Sequence, residues 1–136
     1  MLPLLAAGVL TVVVHGHAAV LVSTSCSLEL RSEVVGGGTE TYCLERFHGR
    51  PGPHAVVRDS GRMTFRLTGG SIMADVGIVE RFAADGRHAR QTLTGSIRGG
   101  SGRFRGVRGT IAGGGTLVEF PVATVTSSNL RYAFRL

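Results

Sequence analysis

Apolar and polar residues alternate with a period of two along most of the chain from Leu28 onward, and glycines interrupt every candidate for a long helix. Met63, Phe65 and Leu67 share one face while Arg62, Thr64, Arg66 and Thr68 share the other, as on a half-buried strand. Ile72, Ala74, Val76, Ile78, Glu80 and Phe82 alternate with Ser71, Met73, Asp75, Gly77, Val79 and Arg81, so this strand carries apolar groups on both faces. Gly77 could accommodate a bend or bulge there. The chain ends on a third clean alternation, Leu130, Tyr132, Phe134 and Leu136 against Arg131, Ala133 and Arg135.

The same reading predicts strands over 27–34 and 39–47 around Gly36-Gly37-Gly38, and a brief strand over 54–58 that ends at Asp59-Ser60-Gly61. A strand over 88–98 ends at Gly99-Gly100-Ser101-Gly102, and one over 104–111 is closed by Ala112-Gly113-Gly114-Gly115. Pro121 limits ladder pairing in 116–125, which reads as an edge strand, bend or loop. About eight short strands with tight connections predict an all-β fold, an eight-stranded antiparallel up-and-down barrel, with a sandwich as the alternative. Closure would protect the strand edges and enclose packed side chains or one small ligand.

The opening stretch differs from the rest, because the first charged side chain is Glu29. The apolar run from Leu4 to Val14, then His15-Gly16-His17-Ala18-Ala19, has the length of a signal-peptide core, with Gly16 and Ala18 as small residues before a cut at Ala18/Ala19. No arginine or lysine precedes that run. Residues 1–18 are therefore expected to be a signal peptide and 25–136 a single barrel domain, secreted or associated with the cell envelope. A membrane anchor over 2–22 and a buried first strand or helix are the alternatives; stable membrane insertion of the mature protein is not expected.

Cys26 and Cys43 are the only cysteines, and a disulfide is the leading reading for two cysteines in an exported small domain. Two buried thiols are the alternative. Their spacing does not reproduce the paired ligands of a structural zinc centre, so no metal is expected.

With 136 residues the chain suits one domain, and 21 glycines against 4 prolines fit a turn-rich β protein better than disorder or collagen. All 15 basic residues are arginine, which against 9 acids give a net charge of +6. They are spread from Arg31 to Arg135 and often alternate with apolar residues, as on an exposed strand face, so no nucleic-acid partner is expected.

The segment from Leu93 to Thr110 resembles the glycine-rich signature of the dirigent and allene oxide cyclase-like barrel superfamily: Gly99, Gly100, Ser101, Gly102, Phe104 and Gly109 match its positions. Leu67-Thr68-Gly69-Gly70-Ser71-Ile72 is similar to an earlier strand junction of bacterial relatives. The resemblance implies an eight-stranded barrel, a homo-oligomer (dimer or trimer), and cyclisation or stereochemical guidance of a reactive organic intermediate. Its bacterial members also include small secreted proteins of unknown activity. Gly99, Gly100, Gly102, Phe104 and Gly109 read as a structural hairpin, with glycines permitting sharp turns and Phe104 packing beneath; a phosphate loop is not indicated, since no Gly-Lys-Ser/Thr ending follows.

Candidate catalytic residues are polar groups embedded in strands: Asp75, Glu80 and Arg98, with Tyr132 as a hydrogen-bond donor. A carboxylate could hold or abstract a proton, and arginine could orient an oxygenated substrate. Each has a plain structural alternative as a surface or structural hydrogen-bonding group. His48, His54 and His88 flank turns, Cys43 with His48 lacks a recognisable oxyanion donor, and the serines are scattered, so neither a metal site nor nucleophilic hydrolysis is indicated. No cofactor is expected. Two functions remain: a barrel that binds a small apolar or oxygenated organic ligand or a partner protein, and a cyclase or isomerase that selects one reactive conformation. A ligand-sized cavity with Asp75 or Arg98 inside would favour catalysis.

Overall fold

A computed structural model describes residues 8–21, 26, 28–119 and 125–136 of the chain. Eight strands follow one another: β1 (Val9–Leu21), β2 (Leu28–Val34), β3 (Thr39–His48), β4 (Val56–Leu67), β5 (Gly70–Phe82), β6 (His88–Gly102), β7 (Gly109–Glu119) and β8 (Val125–Arg135). Each pairs antiparallel with its sequence neighbours, and β8 returns to β1, so the sheet is a closed up-and-down barrel. Closure leaves no strand edge for another chain to extend.

The period-two pattern becomes the inside and outside of the wall. Val12 and Val14 of β1, Met63 and Phe65 of β4, Ile72 to Ile78 at alternate positions of β5, and Leu130, Tyr132 and Phe134 of β8 are buried. One end is filled: Phe65 meets Phe134 edge-on at 4.9 Å and Tyr132 at 5.9 Å, and Phe104 and Val107 of the 103–108 connection are buried. Such aromatic pairs add to the burial they provide.

The barrel reaches further toward the N-terminus than the expected 25–136. Val9–Leu21 is a wall strand, paired with β8 from Val9↔Arg135 to His15↔Asn129 and with β2 from Val14↔Val34 to Leu21↔Glu29. The segment read as part of a leader over 1–18 therefore supplies the strand that closes the sheet. Residues 1–7 lie outside the described residues.

Several glycine-rich or turn-like stretches are strand interior instead. Asp59-Ser60-Gly61, expected to end a short strand, sits in the middle of β4 and pairs with Ile78, Gly77 and Val76. Gly99 to Gly102 continue β6 against β5, and Ala112 to Gly115 pair with both β6 and β8. The segment after Phe104 is a turn, and its strand begins at Gly109. At Gly114, with φ +148°, an added Cβ would lie 1.9 Å from the Gln91 carbonyl oxygen, so the neighbouring strand comes too close for any other residue. Gly77 pairs regularly with Ser60 and Thr94; the irregular register of β5 with β6 falls between Met73 and Ala74, where Arg98 is the extra residue. Pro121 lies outside the described residues.

Cys26 and Cys43 form a disulfide that ties the β1–β2 connection to β3. In the glycine signature, Gly102 has φ +59° and a Cβ there would lie 2.1 Å from the Gly69 carbonyl oxygen, while Phe104 is buried below the turn. At Gly99 the nearest atom to an added Cβ is Arg108 Nη1 at 3.4 Å, a much looser fit.

Candidate functional site

The end of the barrel opposite the aromatic plug, near the 49–55 and 83–87 connections, is hollow. A cavity of about 90 Å³ opens there, with Leu30, Leu44, Met63, Ile78, Leu117 and Leu130 among its apolar walls and the partly exposed Phe47 among its lining side chains. Four of the protein's nine acids, Glu40, Asp59, Glu80 and Glu119, line this space with Tyr42, Tyr132, Gln91 and Ser32. Arginine is absent from the lining, so acid faces inward while the basic residues are left to other surfaces.

Strand parity explains each placement. Glu40 and Tyr42 share a face of β3, Gln91 falls between buried Ala89 and Leu93 on β6, and Glu80 follows Val76 and Ile78 on β5. Glu80 and Gln91 are direct cross-strand partners, and Gln91 also lies opposite Gly115, which has no side chain. Gln91 Nε2 donates to the Tyr132 hydroxyl at 2.8 Å, while the Tyr42 hydroxyl donates to Asp59 Oδ1 at 2.6 Å.

Burial makes ionisation costly for these carboxyls. Desolvation raises Glu40 to about 7 against a lowering hydrogen bond with Ser32, and raises Asp59 to about 6 against the lowering bond from Tyr42. Glu80 is pushed up to about 8, first by desolvation and then by the charges of Glu119 and Asp59, and it hydrogen-bonds Glu119. Lost hydration and the neighbouring carboxylate charges thus act in the same direction on Glu80 and favour its protonated form. Tyr132 is also shifted well upward, chiefly by burial, so both tyrosines stay neutral donors.

The structure separates the four expected catalytic residues into two pairs. Glu80 and Tyr132 face the cavity. Asp75 and Arg98 stand on the outer wall, where Arg98 Nε bonds Asp75 Oδ2 and Arg62 Nε lies 3.6 Å from Asp75 Oδ1. Neither lines the interior cavity, so the condition that would favour catalysis is not met by this pair: Asp75 has the opposite strand parity to Ala74 and Val76, and Arg98 follows buried Ile97 at the bulge.

Glu40, Asp59, Glu119, Tyr42 and Gln91 were not singled out from the sequence. For Glu40, Tyr42 and Gln91 the signal was their place in the apolar half of an alternation; Asp59 was hidden by its turn-like neighbours and Glu119 by nearby Pro121. Among the described residues, no three His, Cys, Asp or Glu side chains are arranged to hold a metal ion, and no helix is long and apolar enough to cross a membrane. No family model, curated protein or solved structure matches this chain.

Proposed function

We propose that this barrel binds a small organic ligand in its acid-lined interior. The single observation that carries the reading is a cavity inside the barrel in which an apolar wall meets phenols and a carboxyl, Glu80, held in its protonated form, groups able to donate as well as accept hydrogen bonds. Its 90 Å³ is below the roughly 300–1,000 Å³ of drug-sized sites, so the occupant is small or extends past Phe47 into solvent. A small, partly apolar and oxygenated molecule matches both halves of the lining.

Secretion or cell-envelope location belongs to the same proposal. It is supported by the Cys26–Cys43 disulfide, a bond that persists in oxidising compartments, and by the uncharged opening of the chain. A processing cut that keeps the barrel closed falls before Val9, whereas one at Ala18/Ala19 removes most of β1. Homo-oligomerisation as a dimer or trimer rests on the dirigent and allene oxide cyclase-like resemblance, with exposed Val56 and Met73 as apolar outer positions for such a contact.

Catalysis as a cyclase or isomerase is the second reading, and the Glu80–Glu119 pair favours it. A carboxyl that keeps its proton near pH 7 can act as a general acid on a ligand held beside it. Tyr132, oriented by Gln91, is the hydrogen-bond donor in that scheme.

Native mass spectrometry after exposure to a mixture of small metabolites tests the binding claim. The wild-type protein is expected to retain a small molecule that a folded Ile78→Trp variant, with its cavity filled, releases. Equal retention by both, or by neither, overturns the proposal.

A further inference from the structure

The outer wall carries a further concave region, whose polar lining is separate from that of the interior cavity although Leu117 borders both. A groove of about 480 Å³ crosses β5 to β8, lined by Arg81, His88, Arg90, Thr116, Ser127 and Asn129 together with backbone and apolar neighbours. This volume lies within the range of ordinary ligand sites.

Register explains why donors gather there. Arg81 lies directly opposite Arg90, Arg90 opposite Thr116, and Thr116 opposite Asn129, so one cross-strand row presents two guanidinium groups, a hydroxyl and an amide. All four side chains are exposed, and the adjacent row pairs His88 with Val118 and Val118 with Ser127. Directly opposed side chains have Cβ atoms about 5 Å apart, a distance at which like charges destabilise a sheet. Elsewhere on this wall that conflict is relieved: Arg62 lies opposite Asp75, which also takes Arg98. Among the described residues neither Arg81 nor Arg90 has a carboxylate within ion-pair distance, and the nearby Asp85 is engaged by His88.

We propose that the β5–β8 groove is a binding site for a small phosphate-bearing ligand, with Arg81 and Arg90 gripping the same oxyanion. A doubly charged tetrahedral group set between two guanidinium forks turns their repulsion into a pair of charge-assisted, bidentate contacts. Thr116 and Asn129 extend the row of donors, and the rest of the groove accommodates the organic part of a phosphomonoester.

Titration of the full chain with inorganic phosphate and with phenyl phosphate at low ionic strength, followed through arginine Nε–Hε NMR signals, tests this assignment. Saturable shifts confined to Arg81 and Arg90 are expected, with affinity at least ten-fold weaker in Arg81→Gln/Arg90→Gln and unchanged in Arg105→Gln. Both substituted positions are exposed, and unaltered backbone amide spectra verify that the variants fold. Shifts spread evenly over the arginines, or equal losses in the Arg105→Gln control, would overturn the site.

Discussion

The Tyr42 hydroxyl donates to Asp59 Oδ1 at 2.6 Å, so a phenol of β3 holds a carboxyl of β4 inside the barrel. The bond offsets part of the desolvation that raises Asp59 to about 6. Tyr42→Phe keeps the ring and removes the donor. Its expected effects are a further rise of the Asp59 pKa and a stability loss of about 1–2 kcal/mol at pH 7, the scale of one partly buried bond to a charged group. Urea unfolding of the variant checks the second, and an unchanged midpoint would show that Asp59 is satisfied by water instead.

Stability should fall as pH rises from about 4 to 8. Glu40, Asp59 and Glu80 have folded pKa values of about 7, 6 and 8, all above their ordinary values, so across this window the folded chain binds more protons than the unfolded one. The penalty is absent below the unfolded pKa values and complete above the folded ones. Asp85 acts in the opposite sense at the acid end: its backbone hydrogen bonds lower it to about 2, a contribution lost as pH falls toward that value. Denaturant midpoints measured from pH 5 to 8 should decline, and Glu80→Gln should flatten the slope. A midpoint that rises with pH would contradict the buried-acid account.

Gly114→Ala should destabilise the barrel by about 3 kcal/mol or more, or prevent folding, since its Cβ would lie 1.9 Å from the Gln91 carbonyl oxygen at φ +148°. Gly77→Ala, with nothing within 4 Å of the added methyl and no positive φ, should be nearly neutral or mildly stabilising. Thermal unfolding of the two variants side by side makes the comparison, and similar behaviour would mean that β7 does not pack as described.

Cys26→Ser/Cys43→Ser should lose about 3 kcal/mol, the entropy scale for a cross-link spanning 17 positions. Unfolding of the wild type with and without reductant should show the same difference. Equal midpoints would place the disulfide outside the stabilising framework.

The alternation of Ile72 to Phe82 carried the barrel wall and, within it, the inward place of Glu80, because parity puts that residue with Ala74 and Ile78. The same parity separates Asp75 from it, but alternation alone does not say which face is inside when both carry apolar groups. Turn chemistry misled at Asp59-Ser60-Gly61 and at Gly113-Gly114-Gly115, where pairing on both sides overrides local preference. The approach of Gln91 to Gly114 is a contact between separate strands, and nothing in the local sequence of β7 encodes it. Val9–Leu21 is ambiguous for a different reason: an uncharged, largely apolar wall strand and the core of an export signal share one composition.

Burial holds the interior carboxyls protonated beyond their ordinary range, and carboxyl ¹³C NMR of the full chain titrated from pH 3 to 10 reads that state directly. Glu80 is expected to keep its proton to about pH 8, and Glu40 to titrate near 7. Titration of both near the ordinary glutamate value of 4.5 would contradict this, because neither carboxyl would then be held away from solvent by burial.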